Sequence, residues 1–395
     1  MQSPGEPRQR SQPTTSIIAQ EQQNAAQSLT QRLDLLQRMP STVEKQDDTQ
    51  AVRVENCVGF AQTPLGLAGP LTINGQNQHG TFHAPLATLE ATLVASCSRG
   101  CKTLQQNGGV SAAVLEEGMS RAPIFRFKDV PDALAFYQAF PRFHDELKRN
   151  AEATSKRVAL VSITPHLIGA CVHVRFAYTC GAAAGQNMTT IATHAACNKF
   201  LKEHKAEFKI EGFMIEGQMA SDKKLSWGNV SNPRGVRTVA WAELSDQACR
   251  EVLGNAASNI FGTYLHGVQA GIRNGMAGYN INVANILAAI FIATGQDAAS
   301  VLEAGWAQLT MEFNDKTGVL TVFVFFPSLP VGSVGGGTGL NTQREALELI
   351  NCYGEGKKWR LAETVAAFAL ALEISTLGAI ANDTFSQSHH RLARL

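Results

Sequence analysis

The sequence predicts an α+β protein, a larger domain interrupted by a small two-layer module. Three observations predict it. From about residue 122 to residue 209 the chain reads strand, helix, strand, strand, helix, the order of a compact two-layer unit. Downstream, "NILAAIFIATG" and "VAAFALALEISTLGAIA" read as helices buried in a larger body. The glycine-rich "PVGSVGGGTGL" lacks G-x-G-x-x-G spacing and follows no early βαβ unit, which argues against a doubly wound dinucleotide fold.

The elements follow in chain order. Residues 1–50 read as a flexible tail to about Ser28, then a helix with Leu29, Leu33, Leu36 and Met39 on one side. Residues 51–121 form the first part of the large domain. There "ENCVGFAQTPLGLAGPLTINGQ" is loop and strand, and "LATLEATLVASCSRGCKTLQQN" reads as one helix of about twenty residues. Residues 122–220 are the inserted module. It holds the strand "APIFRF", the helical "DALAFYQAFPRFHDELKRNAEATS", the strands "RVALVSITPHLI" and "ACVHVRFAY", and a helix after "GAAAGQNM". Residues 221–380 complete the large domain with the strands "RTVAWAEL" and "VLTVFVFF" and helices at "YNINVANILAAIFIATGQD" and 361–380. Residues 381–395 form a C-terminal tail.

Composition limits the function classes. With 44% hydrophobic and 17% charged residues the chain is globular. Its 34 basic and 33 acidic residues leave a net charge of +1, without a basic stripe, so nucleic acid is not the expected partner. Of eight cysteines only Cys97 and Cys101 are close-spaced, and no C-x2-C or H-x3-H accompanies them. The reading is free or structural thiols in a reducing, cytoplasmic setting, with no metal. The first residues are polar and Pro-rich, unlike a signal peptide, and no run reaches the roughly 18–20 apolar residues that a membrane span needs.

Four features carry chemistry, each with two readings. Glu90 falls on an apolar helix face, as a paired carboxylate or as an acid whose pKa burial raises. Lys223 and Lys224 make a solvated turn or a functional one. Asp297 closes a helix, where a carboxylate opposes the macrodipole, so either exposure or function explains it. The triple glycine is a backbone cradle for an anion or cofactor, or a tight turn with close backbone packing.

In chain order, "ENCVGFAQTPLGLAGPL", "LATLEATLVASCSRGCK", "GMSRAP", "SDKK", "GYNINVAN", "GQDAA", "PVGSVGGGTGL" and a terminal "SHH" resemble the 3-hydroxy-3-methylglutaryl-coenzyme A (HMG-CoA) reductase family, from about residue 55 onward. The likeness is closer to the NADPH-using class I form, whose membrane-anchoring region has no counterpart here. It implies a large domain around a central helix with an inserted ferredoxin-like small domain. It also implies NADPH-dependent four-electron reduction of HMG-CoA to mevalonate and CoA, a step of isoprenoid biosynthesis. By the same resemblance Lys223 stabilises the oxyanion, and Glu90 donates a proton as an aldehyde intermediate becomes the alcohol. Asp297 bridges the two, and His389 protonates the departing thiolate. Gly185, Asn187, Gly335, Gly336, Gly337 and Thr338 fall at cofactor positions, and Arg394 at the one facing the 2′-phosphate. Ser96, Arg121, Asp222, Lys224 and Asn285 match substrate positions. A homodimer or dimer of dimers is implied, with the site at the subunit interface.

The chain departs from the family pattern in two places. The small-domain motif Asp-Ala-Met-Gly-Met-Asn reads "AAAGQN" here, from Ala182 to Asn187. Around the substrate's carboxylate, Leu265 stands where the family has a lysine, Glu216 where it has a serine, and Asn282 where it has a histidine. Losing a cation and gaining an anion beside a carboxylate costs several kcal/mol in a dry site. Two alternatives follow: the same fold acting on a different acyl thioester or aldehyde, and a non-catalytic dimeric homologue.

Overall fold

The computed structural model describes residues 34, 35, 37–40, 52 and 54–384. The tail to Ser28, Leu29, Leu33 and Leu36, and the C-terminal positions His389 and Arg394 lie outside the described residues. Met39 is buried with Leu35 against Ala346 and Leu349.

The large domain begins with β1 (Leu65–Gly75) and β2 (His79–Ala87), an antiparallel pair. β2 corrects the expectation of a single long helix across "LATLEATLVAS". Its register places Ala84 and Leu86 in the core, and Pro85 is tolerated because β2 pairs only with β1. The helix proper, α1 (Leu93–Gln106), starts only at Leu93. β3 (Val110–Arg121) then runs parallel to the end of β1.

β3 belongs to two sheets. Its last residues, Met119 to Arg121, pair with Tyr178 to Phe176 of the small module. That module comprises β4 (Ile124–Arg126), α2 (Val130–Ala139), α3 (His144–Glu152), β5 (Ala159–Ile168), β6 (Cys171–Thr179), α4 (Gln186–His204) and β7 (Gly212–Met214). The strands lie antiparallel in the order β7-β4-β6-β5, the arrangement of a ferredoxin-like fold. Aromatic rings fill the space under its helices, with Phe125 and Phe136 5.2 Å apart and Phe143 and Phe200 5.0 Å apart.

The chain returns to the large sheet through β8 (Gly235–Leu244), which pairs with β3 and with β10 (Val319–Leu329). β9 (Gln308–Asn314) closes the edge. β10 alternates, with Leu320, Val322, Val324 and Phe326 pointing inward. α6 (Ala257–Arg273), α7 (Val283–Thr294) and α9 (Asn341–Leu349) surround the sheet.

Through the middle runs α10 (Lys358–Ala381), buried without a break from Leu361 to Ala379. A helix enclosed on all sides reads apolar all round. Contrary to the sequence expectation, its length and composition would suffice to cross a membrane, yet 89% of its most apolar window is buried inside the protein. Its polar residues are satisfied internally: Glu363 accepts from the backbone N–H groups of Asn77 and Gln78 at 2.9 and 2.8 Å. All eight cysteines are free.

α1 crosses α10 at Gly100, where a Cβ would stand 1.7 Å from the carbonyl oxygen of Ala371. The contact is backbone, so no side chain can turn aside. Gly100→Ala therefore costs about 3 kcal/mol or more, read as a lowered urea midpoint with unchanged m-value.

Candidate active site

The seam between the two sheets is where the predicted residues gather. β3 ends there in Arg121, and the loop after β7 runs through Glu216 to Lys224. Among the described residues seven non-glycine positions have positive φ. Three of them, Gln218 (69°), Ser221 (52°) and Lys223 (55°), fall in this loop. Left-handed backbone at such residues costs about 1 kcal/mol or more each and persists only where the surroundings over-determine it.

Several groups do so here. From α5 (Trp227–Ser231), the Asn229 amide donates to the carbonyls of Ser221 and Lys224, both at 3.2 Å. The Arg234 guanidinium, fully buried, donates to Ser120 O at 2.7 Å and to Asp222 Oδ1 at 2.5 Å. Its Nε lies 2.8 Å from Glu303 Oε2, an ion pair without a well-aligned hydrogen bond. Burial pushes the Glu303 carboxyl up to about 7, against the pull of Arg234. Arg121 Nη1 sits 2.9 Å from Glu216 Oε2 and 3.4 Å from Asp222 Oδ2. Lys224 Nζ turns back to Asp222 O at 3.2 Å.

The pinned turn presents Lys223 Nζ to Asp297 Oδ2 at 3.0 Å. Asp297 does not close a helix, as the sequence suggested. α7 stops at Thr294 with Gly295 in a left-handed conformation as its cap. Asp297 instead begins the 3-10 turn Ala298–Ser300, accepting from Ala299 N at 3.1 Å, with Ser300 Oγ 3.4 Å from Oδ2. A carboxylate at that position caps free N–H groups, so the electrostatic objection disappears.

Glu90 is likewise displaced from its expected helix face. It lies half-buried in the loop between β2 and α1, where Asn285 Nδ2 donates to Oε2 at 2.8 Å and Thr92 Oγ1 to Oε1 at 3.2 Å. Among the described residues it makes no ion pair with Lys223. Behind Asn285 the buried Glu373 of α10 accepts from Ile281 N and Asn282 N, both at 2.7 Å, which fixes the start of α7. Ser96 Oγ meets Ser375 Oγ of α10 at 3.1 Å.

The two glycine loops also meet. Ser333 N donates to Ala182 O at 2.9 Å, and a Cβ on Gly332 would stand 2.5 Å from Ala184 N. Gln296 grips the same loop with both ends of its amide, accepting from Gly332 N at 2.8 Å and donating to Gly332 O at 3.0 Å. Both readings of the triple glycine have support. Gly337 packs backbone to backbone on Gly295, while a Cβ on Gly335 or Gly336 would meet nothing within 4 Å. That open backbone fits an extended cofactor, and the buried Thr338 braces it through Gly335 O at 2.8 Å. Gly185 caps α4 with φ 92°, leaving Asn187 exposed on the first turn.

Sequence reasoning missed Arg234, Glu303, Gln296 and Glu373. Of these, Gln296 lies inside "GQDAA" and Glu373 inside the buried-helix stretch "VAAFALALEISTLGAIA", both quoted above but neither read as part of a site. A hollow of about 660 Å3 in the small module, lined in part by Lys128, Lys202, Lys205 and Lys209, contains none of the predicted residues.

A family model described as hydroxymethylglutaryl-coenzyme A reductase matches residues 18–394. The 3-hydroxy-3-methylglutaryl-coenzyme A reductase of Methanocaldococcus jannaschii is 39% identical over 354 residues, covering 88% of this chain and 87% of that one. The enzyme of the same name from Halobacterium salinarum is 37% identical over 362 residues, covering 88% and 86%. Among solved structures, the class II 3-hydroxy-3-methylglutaryl-CoA reductase of Streptococcus pneumoniae, bound to NADPH in open conformations, superimposes with a TM-score of 0.71. It is 18% identical and covers 90% of this chain and 86% of that one, a likeness of fold.

Glu373 gives the site a pH signature. Burial raises its carboxyl from the usual 4.5 to about 7, despite two donated N–H bonds. The folded state therefore keeps this proton longer than the unfolded chain. The stability it contributes is fully present below about pH 4.5 and falls as pH rises to about 7, by up to about 1.4 kcal/mol per pH unit. Glu373→Gln removes this share, and urea midpoints across that window show a shallower decline than in the wild type.

Proposed function

The chain belongs to the hydroxymethylglutaryl-coenzyme A reductase family, and from that premise we propose that it reduces HMG-CoA to mevalonate and CoA with NADPH. The observation that carries this reading is the Lys223–Asp297 pair at 3.0 Å, on a turn pinned from below by a buried arginine.

Each reduction of a thioester or aldehyde carbonyl concentrates negative charge on oxygen. Lys223 holds that charge, and Asp297, 3.0 Å away, keeps the ammonium oriented. Glu90, aimed by Asn285, gives the proton that completes the alcohol. His389 takes the thiolate's charge by protonating it as CoA leaves. NADPH, when bound, supplies the hydride. Gly185, Asn187, Gly335, Gly336, Gly337, Thr338 and Arg394 hold it, with Gly335 and Gly336 offering unobstructed backbone. Ser96, Arg121, Asp222, Lys224 and Asn285 line the substrate side.

We assign the working form to a homodimer or dimer of dimers in the cytoplasm. Leu89, Trp227, Ile272 and Leu302 are 85%, 70%, 75% and 57% exposed on elements around the site, which favours cover by a second subunit.

A second reading rests on Arg121. Its guanidinium is taken up by Glu216 and Asp222, and Leu265 offers no charge in place of the family's lysine. A pocket arranged so favours an acyl thioester or aldehyde without a distal carboxylate.

Purified protein is expected to oxidise NADPH when HMG-CoA is added, followed by the loss of reduced-cofactor absorbance. Lys223→Ala lowers kcat by about a hundredfold or more with the fold intact. Turnover only with a carboxylate-free thioester selects the second reading, and no turnover with either thioester overturns both.

A further inference from the structure

One hydrogen-bonded bridge crosses from the small module to Lys223 through a residue that the family pattern does not supply. Gln186 is the first residue of α4 and stands where that pattern has a methionine. Its Nε2 donates to Ser300 Oγ at 2.8 Å. Ser300 is completely buried, and its Oγ lies 3.4 Å from Asp297 Oδ2, the oxygen that Lys223 Nζ approaches at 3.0 Å.

The direction of this chain follows from counting hydrogens. A serine hydroxyl has one hydrogen and two lone pairs. The Gln186 amide occupies a lone pair, so the hydroxyl hydrogen must point elsewhere. Two carboxylates face it: Asp297, and Glu303 one turn further on. Neither Glu303 oxygen meets a donor in hydrogen-bond geometry, whereas the Ser300 hydroxyl meets Asp297 Oδ2 at 3.4 Å, so the acceptor is Asp297. Lys223 completes the charged groups around Asp297. A hydroxyl polarised by an incoming donor is itself a better donor, and a bond donated to a carboxylate favours its charged form.

We propose that Gln186 is a positioning residue that acts through Ser300 to hold Asp297 aimed at Lys223, tying the small module to the Lys223–Asp297 pair. The inference rests on the reductase reading above and extends it to a residue specific to this chain. A methionine of similar length fills the space but donates nothing. A glutamate of the same shape accepts, and draws the Ser300 hydroxyl away from Asp297.

The test compares Gln186→Met, Gln186→Glu, Ser300→Ala and the Gln186→Met/Ser300→Ala pair with the wild type. On the reductase reading, kcat falls by about tenfold in Gln186→Met and further in Gln186→Glu, with the KM for NADPH within about twofold. The double variant is no worse than the poorer single one. Ligand-free protein gives a readout independent of turnover: amide exchange across residues 298–304 quickens in Gln186→Met while the middle of α4 is unchanged. If wild type turns over and the Gln186 variants match it in kcat and exchange, the bridge is overturned and the reductase reading stands. If wild type turns nothing over but exchange at 298–304 responds as stated, the bridge stands and the reductase reading falls. Loss confined to KM for NADPH, with kcat unchanged, also overturns the proposal.

Discussion

The Arg234 guanidinium lies at full burial where the end of β3, the turn that carries Lys223 and the helix after Asp297 meet. Its side chain joins the end of β3 through Ser120 O, the turn that carries Lys223 through Asp222 and the helix after Asp297 through Glu303, while its backbone N–H donates to Ser328 Oγ of β10 at 2.9 Å. A buried charge of this kind is expensive unless every face is met, and removing one partner of such a pair costs about 3–5 kcal/mol. The same arrangement sustains three left-handed residues in the loop that carries Lys223. Geometry at Lys223 is thus a consequence of what lies beneath it.

A second buried carboxylate supports the other half of the site. Glu373 rises from the central helix to the N–H groups of Ile281 and Asn282, at the end of "YNIN", and α7 then presents Asn285 to Glu90. The two halves use the same device, an ionisable group inside the core that binds backbone or turn and leaves the side chain above it half exposed. Gln296 joins them to the glycine loops, since the residue that grips Gly332 is the immediate neighbour of Asp297.

Much of this was legible in sequence and some of it was not, for physical reasons. The ferredoxin-like module was readable because its strands and helices alternate with clear turn signals. Lys223 stood out in the charge run "SDKK", and Asp297 as the acid that follows an apolar helical run. The local structure around Glu90 and Asp297 was misread because periodicity does not locate a cap or a strand end. Pairing with β1 made a strand of residues that propensity alone leaves ambiguous. Arg234 could not be found at all: in "SNPRGV" it resembles a surface arginine, and its partners are remote in the chain. Glu216 was visible as an added acid, but only the fold shows that it occupies Arg121.

The central claim is that Arg234, which touches neither Lys223 nor Asp297, sets their apposition. Arg234→Lys keeps the charge and gives up the planar fork that reaches three partners at once. The deciding measurement is the single-turnover rate of NADPH oxidation in this variant, with folding verified by circular dichroism. A loss of about a hundredfold or more in folded protein is predicted. A folded variant that turns over at the wild-type rate would contradict the account.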